Sequence, residues 1–416
     1  DADPLVELTT AGPGGPRAAE GKSADMGTHA QRWASSGMAY LTGEPEAPDY
    51  SRAPIMARAD MLADVFGADV GELLTGRAAL MGSSRAGQQS AGGSSRLMRC
   101  RDGWIAMTLS RASDIDSLQA LFARDDPIDS PWQALAEALP HLHVDDVVDR
   151  AQLLEIPAAA LGSVSSCPVD IVRAWPAQQA TRPPSLLVVD LSAMWAGPLC
   201  GHLLQQLGAT VIKVESPERP DGSRAGNPDF FAWMNSGKQF YTTQLSHRAV
   251  GLAGLLDVAD VVIEASRPRA LEHAGLDAST RSPRAGRVWV RITGYGRATG
   301  MVNRVAFGDD AAVAGGLVGR GTRGPVFCGD AIADPLTGLE AATAVVQSLA
   351  RGGGEIIDVS MAGVAAKYAG CPVLEDTERV TVAVTPPTAP RIGSGFETIG
   401  DNEVLRLVDE RRGPRC

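Results

Sequence analysis

The sequence predicts a doubly wound, parallel α/β sheet of Rossmann-like type, with a smaller α+β domain ahead of it. Three observations carry this. Beyond residue 185, strand-type apolar runs alternate with helical runs over short connections (Leu186–Leu191, Pro198–Leu207, Thr210–Val214, Ala249–Leu256, Val261–Glu264, Val288–Ile292), the signature of strand–helix–strand units. Earlier in the chain, Arg96–Cys100 and Trp104–Leu109 flank Asp102-Gly103, a strong short-range hairpin signal. Between the two regions, PAQQATRPP (176–184) reads as a linker.

Taken in order, residues 1–32 are rich in Gly, Pro and charge without apolar periodicity and are expected to form a loose lead-in. The spacing of Met61, Leu62, Val65, Phe66, Leu73, Leu74, Leu80 and Met81 predicts short helices over Ala59–Gly82. A Gly/Ser loop follows to Ser95. After the hairpin, Ser117–Phe122, Trp132–Leu139 and Val144–Leu154 are amphipathic, and a short strand is expected near Ala158–Leu161. In the second half, Leu336–Ala350 reads as a long helix before the strand Glu355–Val359. A tail punctuated by Pro and Gly ends in a helix at Glu403–Asp409. The expected organisation is a lead-in (1–32), a helical segment (33–82), the small domain (83–175), the linker (176–184), the large domain (185–370) and a C-terminal segment (371–416).

Composition narrows the function classes. The 416 residues are 44% hydrophobic and 21% charged, with a formal charge of −11, which disfavours a nucleic-acid binder. Apolar runs fall short of the roughly 20 residues a membrane span needs. No signal-peptide pattern opens the chain, which starts at Asp1 rather than Met. Six cysteines lie far apart without C-x-x-C spacing, so the expectation is a reduced, cytoplasmic protein without a metal site.

The first strand–turn–helix of the large domain places Ala196-Gly197-Pro198 at a helix start. A helix N-terminus behind a strand can hold a phosphate. The dinucleotide fingerprint G-x-G-x-x-G is replaced by Ala196-x-Pro198-x-x-Gly201, which leaves generic scaffold or a nucleotide site open and speaks against an NAD-dependent oxidoreductase.

The run VVDLSAMWAGPLCGHLLQQLGATVIKVE, followed in order by PDGSR (220–224), NSGK (235–238), ADVVIEASRPRALEHAGL (259–276), ITGYGR (292–297), IADPLTG (332–338) and IDVSM (357–361), resembles the type III CoA-transferases. That family includes formyl-CoA transferase, carnitine-CoA transferase and α-methylacyl-CoA racemase. The resemblance implies that residues 185–370 bind CoA and that the enzyme moves CoA from an acyl-CoA thioester to a free carboxylic acid through a covalent aspartyl intermediate. It implies Asp334 as nucleophile. Position alone fits an N-cap of the helix Pro335–Ala350, where helix-end amides would favour the ionised carboxylate. Asp330 is the second-choice carboxylate, and Cys328 reads as a packed small hydrophobe. Matching positions imply CoA contacts at Met194, Trp195, Ala196, Arg224, Lys238, Ser266 and Arg267. Ala265 replaces the usual Asn and His273 a common Arg. Taken singly, the arginines also fit ordinary surface charge. CoA is implied as substrate, with no tightly bound cofactor, acyl-CoA and carboxylic acids as partners, and a homodimer as the assembly. Gly315-Gly316 and Gly92-Gly93 are both candidates for oxyanion amides. Phe230, Phe231 and Trp233 are candidate pocket walls. The racemase branch needs a His where Phe307 or Gly308 stands, so racemisation is not expected.

The order of parts departs from the family. RLMRCRDGWIAMTLSR and LLEIPAAAL resemble later small-domain blocks yet precede the large domain. ASSGMAYLTGEPEAP (34–48) resembles a stretch near the nucleophile, and ARADMLA (57–63) echoes AIADPLTG, setting Asp60 opposite Asp334. A truncated first copy fused to a second accounts for this, with Asp60 read as a helix cap. The tail VTPPTAPRIGSGFETIGDNEVL resembles the family's return segment to the large domain. A catalytically silent CoA- or acyl-CoA-binding protein of the same fold is the alternative function.

Overall fold

The structure, a computed structural model, describes residues 22–178, 185–246, 248–266, 268–298, 300–375, 382–393 and 395–412. An eight-stranded sheet organises them. From edge to edge its strands are Glu397–Thr398, Gln239–Thr242, Thr210–Glu215, Leu187–Asp190, Val261–Glu264, Val288–Thr293, Glu355–Ser360 and Val169–Arg173. All neighbours run parallel except the last pair. The central strands are apolar on both sides because helices cover both faces, and Leu187, Val188, Val189, Val261, Val262 and Ile263 have no exposed surface.

The topology positions the site. From Leu187–Asp190 the chain steps outward through Thr210–Glu215 to Gln239–Thr242. It then returns to the other side of the first strand with Val261–Glu264 and steps away again. This is the doubly wound order, whose reversal opens a crevice at the carboxyl ends of the two adjacent central strands. On one face, the helices Ala196–Gln206 and Ala333–Ala350 pack together at Gly338, where a Cβ would stand 2.7 Å from the Ala196 carbonyl oxygen. On the other face, Asp401–Arg412 packs on Val250–Val258.

The hairpin forms as expected, with Ser95–Arg99 antiparallel to Trp104–Thr108 and Ala158–Ala160 as third strand. Several expectations are corrected. Val169–Arg173 lies within the stretch read as small domain, yet its backbone completes the edge of the large sheet. The end of the lead-in is helical: Lys22–Ser35 buries Ala30, Trp33 and Ala34. Residues 1–21, and 179–184 of the linker, lie outside the described residues. Asp60 caps no helix. It sits inside Ile55–Ala63 and accepts Arg32 Nη2 at 2.7 Å. Pattern reading overlooked Gln239–Thr242, the helix Gly308–Ala314 and the hairpin Val318–Gly321/Gly324–Phe327. Each is short, and Gly breaks the hairpin's apolar pattern.

Candidate active site

A cleft of about 260 Å³ opens where the sheet order reverses. Its walls come from the segments after the two central strands (Ala193, Met194, Ala265, Ser266), from Ala196 and Gly197 at the helix start, and from Asn303–Phe307. Arg111 and Pro157 of the small domain close it from the opposite side. Asp334 lies on this lining.

Asp334 is not the N-cap. The helix begins one residue before it, Ile332 is the capping position, and the Asp334 amide donates to the Ala331 carbonyl at 2.9 Å. Its carboxylate takes a hydrogen bond from the Gly308 amide instead. Gly308 permits this approach, since a Cβ there would overlap both Asp334 Oδ2 and the Ala331 carbonyl oxygen. The left-handed backbone of Ala331 (φ 44°) bends the chain into the helix just before Asp334.

Three more carboxylates crowd behind it. Asp309 accepts Ser95 Oγ at 2.8 Å and the Ala331 amide at 3.0 Å. Asp310 accepts Thr108 Oγ1 at 3.1 Å and the Phe307 amide at 2.9 Å, and its Oδ2 has no hydrogen-bond partner. Asp330 accepts Arg77 Nη1 at 2.7 Å. That guanidinium lies over the Trp195 and Phe230 rings, 5.4 and 5.8 Å from their centroids.

Burial with little positive charge moves these groups upward. Asp334 is pushed up to about 7, by burial first and then by Asp309 and Asp330, against the pull of Arg77 and the Gly308 amide. Burial pushes Asp310 to about 8 and also raises Asp309 and Asp330. The helix end therefore does not hold Asp334 fully ionised, contrary to expectation. Cys328 is a buried thiol pushed up to about 12, consistent with packing.

The model of CoA-transferase family III matches residues 185–394, half of the sequence. The chain belongs to this family. Among similar curated proteins are a succinate–glutarate CoA-transferase of Agrobacterium fabrum, 29% identical over 55% of this chain and 62% of that protein, and a succinyl-CoA–D-citramalate CoA-transferase of Chloroflexus aurantiacus, 29% identical over 55% and 60%. The chain thus spans about three fifths of the length of these relatives. A crystal structure of a CAIB/BAIF family protein from Brucella suis matches 45% of this chain and 55% of its own at 30% identity, with a TM-score of 0.41.

Of the residues carried over from the type III CoA-transferases, Asp334, Met194, Ala196 and Ser266 share the cleft. Met194 holds a left-handed conformation (φ 71°), its amide donates to Asp221 Oδ1 at 3.0 Å, and it is 40% exposed. Trp195, Lys238 and Arg224 are engaged elsewhere and do not line the cleft. The Trp195 indole is 2% exposed and faces Phe230 and Arg77 in the core. Lys238 is wholly buried, and its ammonium donates to Asp190 Oδ2 at 3.0 Å, the Pro198 carbonyl at 2.8 Å and Asn235 Oδ1 at 3.0 Å. An ammonium has three N–H donors, so none is left for a phosphate. Arg224 is held by Glu215, with Nη2 to Oε2 at 2.6 Å, and stacks on Phe231 at 3.9 Å. Arg267 lies outside the described residues. Phe230, Phe231 and Trp233 are core side chains and do not line the cleft.

Neither oxyanion candidate pair lines the Asp334 cleft. Gly315 is closely packed, since a Cβ there would stand 2.6 Å from the Ala362 carbonyl oxygen. Gly92 lies at the acidic cluster, its added Cβ falling 3.6 Å from Asp330 Oδ1. Sequence reading missed Arg77, Gly308, Asp309 and Asp310. The adjacent pair Asp309-Asp310 after Gly308 was the available signal.

Proposed function

We propose that this protein is a CoA-transferase that carries CoA from an acyl-CoA donor to a free carboxylic acid through Asp334. One observation carries the reading: a carboxylate at the start of a long helix, reached by the cleft at the sheet reversal and poised near 7. Ionised, Asp334 attacks the thioester carbonyl. The C–S bond breaks, CoA thiolate leaves and an aspartyl–acyl anhydride remains. The thiolate then attacks the aspartyl carbonyl and releases the first acid, giving an aspartyl-CoA thioester. The acceptor carboxylate attacks that carbonyl, forms a second anhydride and frees the thiolate. The thiolate takes the acceptor's acyl group and regenerates Asp334. Thioester is exchanged for thioester, so no nucleotide hydrolysis is needed.

A neighbouring cleft of about 290 Å³ shares Ser266 and carries Arg219. The shared Ser266 supports a path through it for the nucleotide end of CoA. The acidic composition supports a cytoplasmic enzyme, and no helix among the described residues is long and apolar enough to cross a membrane. A homodimer follows the family resemblance.

A catalytically silent CoA-binding protein is the second reading. The internal engagement of Lys238 and Arg224 favours it. Incubation with acyl-CoA, trapping with hydroxylamine and mapping by mass spectrometry separates the two. Modification at Asp334, lost in Asp334→Ala while CoA affinity stays, is the expected result. CoA binding without any adduct would favour the silent protein, and undiminished transfer by Asp334→Ala would remove Asp334 as nucleophile.

A further inference from the structure

Where the small domain meets the hairpin Val318–Gly321/Gly324–Phe327, the loop at Gln88 and Gln89, the strand Ser95–Arg99, Trp104 and the loop at Arg323 enclose a second cleft of about 460 Å³. Its lining has no residue in common with that of the Asp334 cleft. Among the described residues its charged lining is Arg96, Arg99 and Arg323, without a carboxylate. This is unusual in a chain of net charge −11 whose arginines elsewhere are mostly tied to carboxylates, as Arg77, Arg224 and Arg291 are.

None of the three guanidiniums makes an ion pair among the described residues. Arg96 lies over the Trp132 ring, 4.7 Å from its centroid, and Arg99 over that of Trp104 at 5.7 Å. Stacking engages the face of a guanidinium and leaves its in-plane N–H edge free for a bidentate anion. Arg96 Nε is buried without a hydrogen-bond partner among the described residues, so contact with a ligand falls to the Nη groups of Arg96. The third arginine is held at the rim by backbone geometry. Gly324 (φ 128°) packs so closely on Trp104 that a Cβ would overlap the indole, and Gln88 Nε2 reaches the Arg323 carbonyl at 3.4 Å.

We propose that this cleft is an anion site for a phosphorylated small molecule carrying a pyrophosphate or comparable phosphoryl pair. Three cations in one lining favour a compact ligand with two to three negative charges. A single carboxylate supplies one, whereas a phosphoryl pair supplies enough and offers several oxygens to each fork. The volume exceeds what inorganic pyrophosphate fills, which leaves room for an attached organic group. The site also has a mechanical link to the acidic cluster. The strands that carry Arg99 and Trp104 end at Ser95 and Thr108, which bond each other at 2.9 Å and reach Asp309 and Asp310.

The test is titration of the intact chain with pyrophosphate, ADP and AMP, followed by tryptophan fluorescence and calorimetry. Saturable binding of pyrophosphate and ADP is expected, weaker for AMP and weakened by salt. The double variant Arg99→Gln/Arg323→Gln replaces two exposed side chains, so its melting temperature should match the parent. Its affinity should fall at least about tenfold. Tighter binding of ADP than of pyrophosphate assigns the extra volume to a nucleoside. Absent binding, or equal binding by parent and variant, overturns the proposal. A change in oligomeric mass in the variant, with no phosphate binding by either protein, would overturn it too and assign the arginines to a contact between chains. These readouts do not depend on acyl transfer, so they stand apart from the role of Asp334.

Discussion

Two buried charge clusters in this protein are built in opposite ways. Beneath the Met194–Ala196 turn, each carboxylate has its own ammonium: Asp190 with Lys238 at 3.0 Å, and Asp221 with Lys213 at 3.0 Å. Burial alone would raise these acids, yet the lysines hold both below the ordinary range. At the other cluster, Asp334 and the three carboxylates behind it have, among the described residues, one guanidinium in ion-pair contact, that of Arg77 with Asp330. There burial wins and all four are raised. Balanced charge makes a rigid support for the turn. Unbalanced charge leaves an acid near neutrality at the mouth of a cleft, where proton occupancy can change within the working pH range.

The contrast can be broken most severely at Lys238. Lys238→Met should leave Asp190 buried without its partner and lower stability by about 3–5 kcal/mol in denaturant unfolding. Adding Asp190→Asn should restore much of the loss. A single variant as stable as the parent would refute the balanced reading. Gly308→Ala comes next, because its methyl group must displace Asp334 or the Ala331 carbonyl. A loss of about 1–3 kcal/mol is expected, with a lower yield of trapped aspartyl adduct at constant CoA affinity.

Arg77→Met tests the unbalanced cluster directly. Arg77 lowers Asp334, so its removal should carry the carboxyl further above 7. The ionised form is the nucleophile, so adduct formation rises with pH through that value, and its midpoint should move up by about 1 unit. A test of pH-dependent stability belongs to Asp310→Asn. With Asp310 at about 8, the folded chain keeps a proton that the unfolded chain releases near pH 4. Stability therefore falls as pH rises between those values. The Asn variant should show a flatter melting temperature from pH 5 to 8, whereas an unchanged slope would place Asp310 outside the titrating set.

Legibility followed how local each signal was. Strand–helix alternation after Leu186 and the Asp102-Gly103 hairpin depend on neighbouring residues, and both elements formed where expected. The IADPLTG block located a carboxylate at a helix start, although the cap itself fell one step away, on Ile332. Val169–Arg173 escaped because its partner, Glu355–Ser360, lies far along the chain and pairing with it leaves no mark in the local pattern.

Side-chain roles at the site were harder to see. Lys238 and Arg224 have the charge a phosphate would need, and no neighbouring residue reveals that Asp190 and Glu215 already hold them. Arg77 is separated from Asp330 by 253 positions, yet it is the cation that tunes the cluster. Apolar spacing was enough to set the class of sheet, because that arises from short-range periodicity, and the ordered motif blocks carried the resemblance to the family. Which acids stay protonated and which cations stay free depended on packing between distant segments, because charge energies are governed by burial and by partners a few ångströms away in space.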